Sequence, residues 1–151
     1  MPTIEVTPFR AADAWALVPG SHTADTLSRL PNLDQAFQQY ETAGPAWSCR
    51  VDGQLIGCAG LLRMWPGVAH GWFLASIAMR EYPKTVLSLM RQHLPEVLAT
   101  EHLIRLQAEV QTDFHVGRRF LEHLGFVSEG DMRRFGPGGE TYTRYAWIRE
   151  E

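Results

Sequence analysis

A chain of 151 residues with 45% apolar and 21% charged side chains has the size and balance of one globular domain, 1–151, able to bury a core without disulfide or metal staples. Its net charge of −3, with Lys84 as the sole lysine, offers no clustered basic face for nucleic acid, and no apolar run approaches the roughly 20 residues that span a bilayer. The start, Met1 to Val6, carries neither a basic-then-apolar leader nor an Arg/Ser-rich transit pattern, so the expected compartment is the cytoplasm and neither nucleic acid nor membrane is an expected partner.

Ile4 and Val6 alternate with polar neighbours and predict a short, half-buried first strand ending near Pro8. Two short helices follow, Ala11 to Val18 stopped by Pro19-Gly20 and Thr23 to Leu30 stopped by Pro31. In the third, Asn32 with Gln35 has capping-box spacing, and Leu33, Ala36, Phe37 and Tyr40 recur at helical intervals up to Gly44-Pro45. From Ala46 the period becomes two. Asp52-Gly53 then predicts a two-residue hairpin turn leading into a strand from Gln54 to about Met64. That turn would set Cys58 opposite Trp47 rather than Cys49, which argues against a disulfide between the two cysteines.

After Trp65-Pro66-Gly67, the apolar stretch Gly71 to Met79 predicts a central strand covered on both faces. Pro83 suits a helix start, and Val86, Leu87, Met90, Leu94, Val97 and Leu98 form one stripe, with Pro95 expected to kink or divide the helix. Leu103 to Val110 alternates as a strand with one apolar face. Asp113 to Leu124 predicts a helix with Val116, Phe120, Leu121 and Leu124 inward and Gly125 as its left-handed cap. Phe126 to Phe135 and Thr141 to Arg149 predict a closing hairpin, whose arginines Arg133, Arg134, Arg144 and Arg149 read as a solvated or ion-paired face. Strand–helix–strand inside an otherwise antiparallel series requires a right-handed crossover, hence a mixed, mostly antiparallel α/β sheet with helices on both faces.

The stretches Val51 to Gly60 and Arg118 to Phe126, in this element order, resemble the GNAT (Gcn5-related N-acetyltransferase) family. The first is similar to that family's hairpin and its small-residue strand. The second is similar to its helix-to-strand junction, here Phe120-Leu121, three residues, then Gly125-Phe126. The resemblance implies the GNAT fold, acetyl-CoA as acetyl donor, and a small-molecule or protein amine as acceptor. In the family a glycine-rich loop opens the long helix and its N–H groups bind the coenzyme pyrophosphate. The matching residues here are Arg80 to Thr85, with Pro83 at the middle glycine and Glu81 bringing a negative charge beside the phosphates; Ile77, Met79, Arg80, Lys84 and Thr85 are the candidates for holding the donor that the resemblance implies. The family's thiolate-protonating tyrosine is matched by Leu121 and its asparagine by Phe114, which leaves Tyr82 or His115 as candidate acids. Around Gly71 to Ser76 and Arg119 to Leu121 the chain is also similar to small GNAT-like proteins of short-tailed bacteriophages, some of them internal virion proteins. That second resemblance implies a non-catalytic assembly role, with virion proteins or further copies of the chain as partners.

Amine acetylation needs a base for the ammonium and an acid for the thiolate. Glu109 is the candidate base, near the carboxyl end of the crossover strand and on one face with Gln107, while His70 and Ser76 share parity on the preceding strand. Each also has an ordinary structural reading. The six histidines are scattered, with no His-x-x-x-His or Cys-x-x-Cys, so no metal is expected, and no Gly-x-Ser-x-Gly supports a hydrolase. The tryptophans and Phe73 fall largely within strands and read as core or interface.

Overall fold

A computed structural model describes residues 1–150. Its strands are β1 (Ile4–Pro8), β2 (Ala46–Val51), β3 (Gln54–Trp65), β4 (Val68–Ala75), β5 (Arg105–Gln111), β6 (Val127–Met132) and β7 (Tyr142–Ile148). The α-helices are α1 (Ala11–Ala16), α2 (Ser21–Arg29), α3 (Leu33–Thr42), α4 (Pro83–Thr100) and α5 (His115–His123). Hydrogen bonding orders the strands β1-β2-β3-β4-β5-β7-β6 in one seven-stranded sheet. β4 and β5 pair in parallel, as a crossover through α4 demands. The residues group into two compact units, Met1–Leu62 with Gly71–Tyr82, and Arg63–His70 with the chain from Pro83 onward.

The first unit is built around Phe9, Ala14, Leu17, Phe37, Cys58 and Leu74. Trp72 stacks on Tyr40 at 4.2 Å and meets the Phe9 ring edge-on. Asn32 Oδ1 accepts the Gln35 N–H at 3.1 Å, so the predicted cap starts α3. Asp52 and Gly53 both take positive φ, 50° and 81°, as a twisted two-residue hairpin turn requires. Two expectations fail in this unit. The register slips between Arg50↔Leu55 and Cys49↔Gly57, leaving Ile56 as a bulge, so Cys58 faces Ser48 and not Trp47. The bulge lets Ile56, Gly57 and Cys58 be buried in succession, which a strict two-residue period forbids, and both cysteines are free. β1 is also more open than predicted, with Ile4 and Val6 both over 40% exposed, because it pairs with β2 alone at the sheet edge.

The apolar stretch after Gly71 is the third correction. β4 begins at Val68 and ends at Ala75, and Ile77–Glu81 is a 3-10 helix rather than strand. Ser76 makes the change. Its Oγ accepts the Ala78 N–H at 3.1 Å and its carbonyl accepts that of Met79, while its own N–H is held by Ile56 O. Ile77 and Met79 thus leave the sheet, and Ile77 is 44% exposed.

In the second unit α4 remains one helix through Pro95, so of the kink or division expected there the division does not occur. Val86 before the proline and Leu98 after it are both buried, while Pro95 and Arg91, whose carbonyl loses its donor, are exposed to water. α5 is shorter than predicted, and Val116 is 62% exposed rather than inward. Gly117 is what lets α5 approach β5. A Cβ there would lie 2.6 Å from the Phe114 ring and 2.9 Å from Val110. Gly125, at φ 93°, caps α5 as expected. β7 enters between β5 and β6, pairing with β5 over all seven residues, so the closing hairpin is part of the sheet and Tyr145 is fully buried.

Candidate functional site

The parallel ladder pairs Val68, Ala69 and His70 with Arg105, Leu106 and Gln107. Glu109 lies two residues further along β5, on the face it shares with Gln107, and β7 sets Arg144 directly opposite it. Three strands therefore converge on one carboxylate. Glu109 Oε2 is 2.8 Å from His70 Nε2, and Oε1 accepts from Arg144 at 2.9 Å and 3.2 Å. The Glu109 side chain is 5% exposed, against 30% for His70 and 35% for Arg144. Burial by itself raises the Glu109 carboxyl, but hydrogen bonds from His70 and Arg144 and the Arg144 charge oppose it and hold it below the ordinary carboxylate range. Beside them Arg105 bonds Gln107 Oε1 at 2.9 Å and forks onto Glu129.

An ionised carboxylate only accepts, so His70 Nε2 is the donor to Glu109. His70 Nδ1 has no partner among the described residues and is not sealed from solvent. The cluster therefore presents a buried, anchored anion behind a half-exposed imidazole.

The remaining candidates stand elsewhere. His115 is exposed at the start of α5 and lines an open groove of about 560 Å³ with Gln111, Asp113, Arg118 and Glu140. Lys84 and Thr85 are in the first turn of α4, the former exposed and the latter half-buried. In the first unit Ile77, Met79 and exposed Arg80 belong to the 3-10 helix, and half-buried Tyr82 closes it, its N–H bonded to Met79 O. Ser76, proposed from its parity with His70, is the cap of that helix. The hydrogen-bond partners of Glu109 are His70 and Arg144. From the sequence Arg144 is only part of a hairpin face, because its meeting with Glu109 depends on β7 inserting beside β5. Among the described residues no three His, Cys, Asp or Glu side chains converge as a metal site, and no helix is long and apolar enough to cross a membrane.

No family model matches the sequence, and no curated protein matches it. Solved structures do. An acetyltransferase of the GNAT family from Bacillus anthracis superposes with TM-score 0.72 at 14% identity, covering 98% of this chain and 96% of that one. The chain has the GNAT fold. A mutant of the spermidine N-acetyltransferase SpeG from Vibrio cholerae matches with TM-score 0.71 at 13% identity over 96% of this chain and 93% of that one. A GNAT-family acetyltransferase from Streptococcus pneumoniae gives 0.68 at 13% identity over 98% and 100%. At these identities the GNAT fold is common ground and the side chains are not, so the residues that act must be argued from this chain's own geometry.

Proposed function

We propose that this protein is a divergent acetyl-CoA-dependent N-acetyltransferase whose proton handling centres on Glu109. The observation that carries the proposal is the buried Glu109 carboxylate joined to His70 and Arg144, set at the carboxyl end of the parallel strand pair of a GNAT fold. A carboxylate so buried is retained at a cost in desolvation, which a catalytic role accounts for. Tyr82 and His115 remain the candidate acids for the thiolate.

The start of α4 fits a phosphate-bearing donor, with fewer donors than a glycine-rich turn would offer. Lys84 and Thr85 N–H groups lie in the first turn, where no intrahelical acceptor exists, and Lys84 adds its ammonium. Pro83 contributes no N–H, and Glu81, three residues before Lys84 in the sequence, carries a negative charge. Ile77, Met79 and Arg80 are the further contacts proposed for the donor.

A second reading is a non-catalytic GNAT-like module that assembles with virion proteins or with copies of itself, and Pro83 and Leu121 at the coenzyme and acid positions favour it. Incubation with acetyl-CoA and a panel of primary amines (a polyamine, amino acids, a peptide amino terminus), read by mass spectrometry, separates the two. Acetylated amine above the uncatalysed level supports the enzyme; none across the panel supports the module. Melting with millimolar acetyl-CoA should rise by under about 3 °C for so lean a site, against roughly 5–10 °C for a saturated one.

A further inference from the structure

We infer that the atom that deprotonates the acceptor amine is Nδ1 of His70, with Glu109 acting as the residue that positions the imidazole rather than as the base itself. The inference rests on the N-acetyltransferase reading of the site. Glu109 has both oxygens committed, Oε2 to His70 at 2.8 Å and Oε1 to Arg144 at 2.9 Å, and its side chain is 5% exposed. A carboxylate in that position reaches no incoming ammonium. Its depressed proton affinity also makes it a poor acceptor.

His70 has the complementary properties. Its side chain is 30% exposed, its Nε2–H is spent on Glu109, and Nδ1 has no partner among the described residues and is not sealed from solvent. A hydrogen bond from one ring nitrogen fixes which nitrogen of the neutral ring carries the proton and how the ring is oriented. Arg144 and the Arg105–Glu129 pair are the other charged groups around the carboxylate. Arg144 keeps Glu109 ionised, so the imidazole faces an anion rather than a carboxylic acid.

The acceptor ammonium gives one proton to His70 Nδ1, and its freed lone pair forms the N–C bond to the acetyl carbon of the thioester. The C–S bond breaks, the sulfur leaves as thiolate and is protonated by the acid, Tyr82 or His115; the nitrogen's second proton passes to water, which restores the acid, and His70 likewise returns its proton to water.

Two measurements test the inference. The first needs no activity. In protein labelled with ¹⁵N-histidine, the His70 signal, assigned by its loss in His70→Gln, should show Nε2 protonated and Nδ1 bare in the neutral ring, and Glu109→Gln should shift it toward a mixture of tautomers. A proton resident on Nδ1 overturns the inference.

The second is turnover on the amine panel. His70→Gln keeps a donor toward Glu109 but cannot take a proton, and should lower kcat by about 10²-fold or more. Its KM for acetyl-CoA should stay unchanged. His70→Asn serves if the glutamine variant does not fold, with the melting midpoint as the check. Glu109→Gln should lower kcat and displace the acid limb of its pH profile, an effect that loss of packing alone would not produce. Wild-type transfer undiminished in a folded His70 variant overturns the His70 assignment and leaves the N-acetyltransferase reading standing. No transfer by the wild type to any amine overturns both.

Discussion

Each unit of this protein holds a carboxylate paired with an arginine from a neighbouring strand or helix, and the two are finished differently. In the first unit Asp13 of α1 accepts from Ser48 at 2.7 Å, from Arg50 at 3.0 Å and from the Arg10 N–H at 3.2 Å. Burial opposes its ionisation, but those hydrogen bonds and the Arg50 charge outweigh it and hold the carboxyl below its usual range. Every partner is a hydroxyl, a backbone amide or a guanidinium, none of which exchanges a proton near neutrality. In the second unit Glu109 has a guanidinium on one side and an imidazole on the other. The same physical device, a desolvated anion neutralised by arginine, is closed in one case and opens onto a titratable ring in the other. The Asp13 arrangement locks α1 to β2, and only the Glu109 arrangement has a way to pass a proton outward.

The largest expected effect is on stability at Asp13. Asp13→Ala leaves Arg50 half-buried without its anion and should lower unfolding free energy by about 3 kcal/mol in a urea titration. A loss below about 1 kcal/mol would mean that the pair behaves as an exposed ion pair. Next is the packing on which each arrangement sits. Gly60→Ala would put a methyl 2.7 Å from the Trp72 ring and 2.9 Å from Pro45 O, and Gly117→Ala one 2.6 Å from Phe114. Each should lose roughly 1–3 kcal/mol, read in the same titration.

The pH dependence of stability sharpens the contrast further. Glu109 and Asp13 both have folded carboxyls held below their unfolded values, so the unfolded chain binds protons first as pH falls. Their contribution is present in full above about pH 5 and is lost as pH drops through and below the unfolded values of 4.5 and 3.8. Glu109→Gln should flatten the upper part of that fall, measured as unfolding free energy between pH 6 and roughly pH 3. An unchanged slope would show that the carboxyl is not held low.

The smallest effect concerns the thiols beside Ser48. Burial pushes Cys58 up to about 11 and also raises Cys49, which is only half-buried. A thiol reagent at pH 8 should therefore modify one cysteine of the folded protein, Cys49, and reach Cys58 only on unfolding. Equal rates at both would contradict the burial of Cys58.

Features set by a few adjacent residues were legible in the sequence. Asp52-Gly53 specifies its hairpin turn because both positions need positive φ, Asn32 with Gln35 specifies a helix start, and Gly125 specifies a helix end. The order of elements followed from hydrophobic period and breakers, and with it the crossover that makes the sheet mixed. What the sequence could not determine was decided by partners distant along the chain. The partner of Cys58 depends on a bulge at Ile56, and Ile77 leaves the strand because Ser76 finds Ile56 and Ala78 to bond. Glu109 could be chosen from its place on β5, but His70 and Arg144 lie 39 and 35 residues from it and meet it only through the β4–β5 and β5–β7 registers. Local patterns encode the energy of turns and caps, whereas the environment of a buried charge is a sum over strands that come together only when the sheet closes.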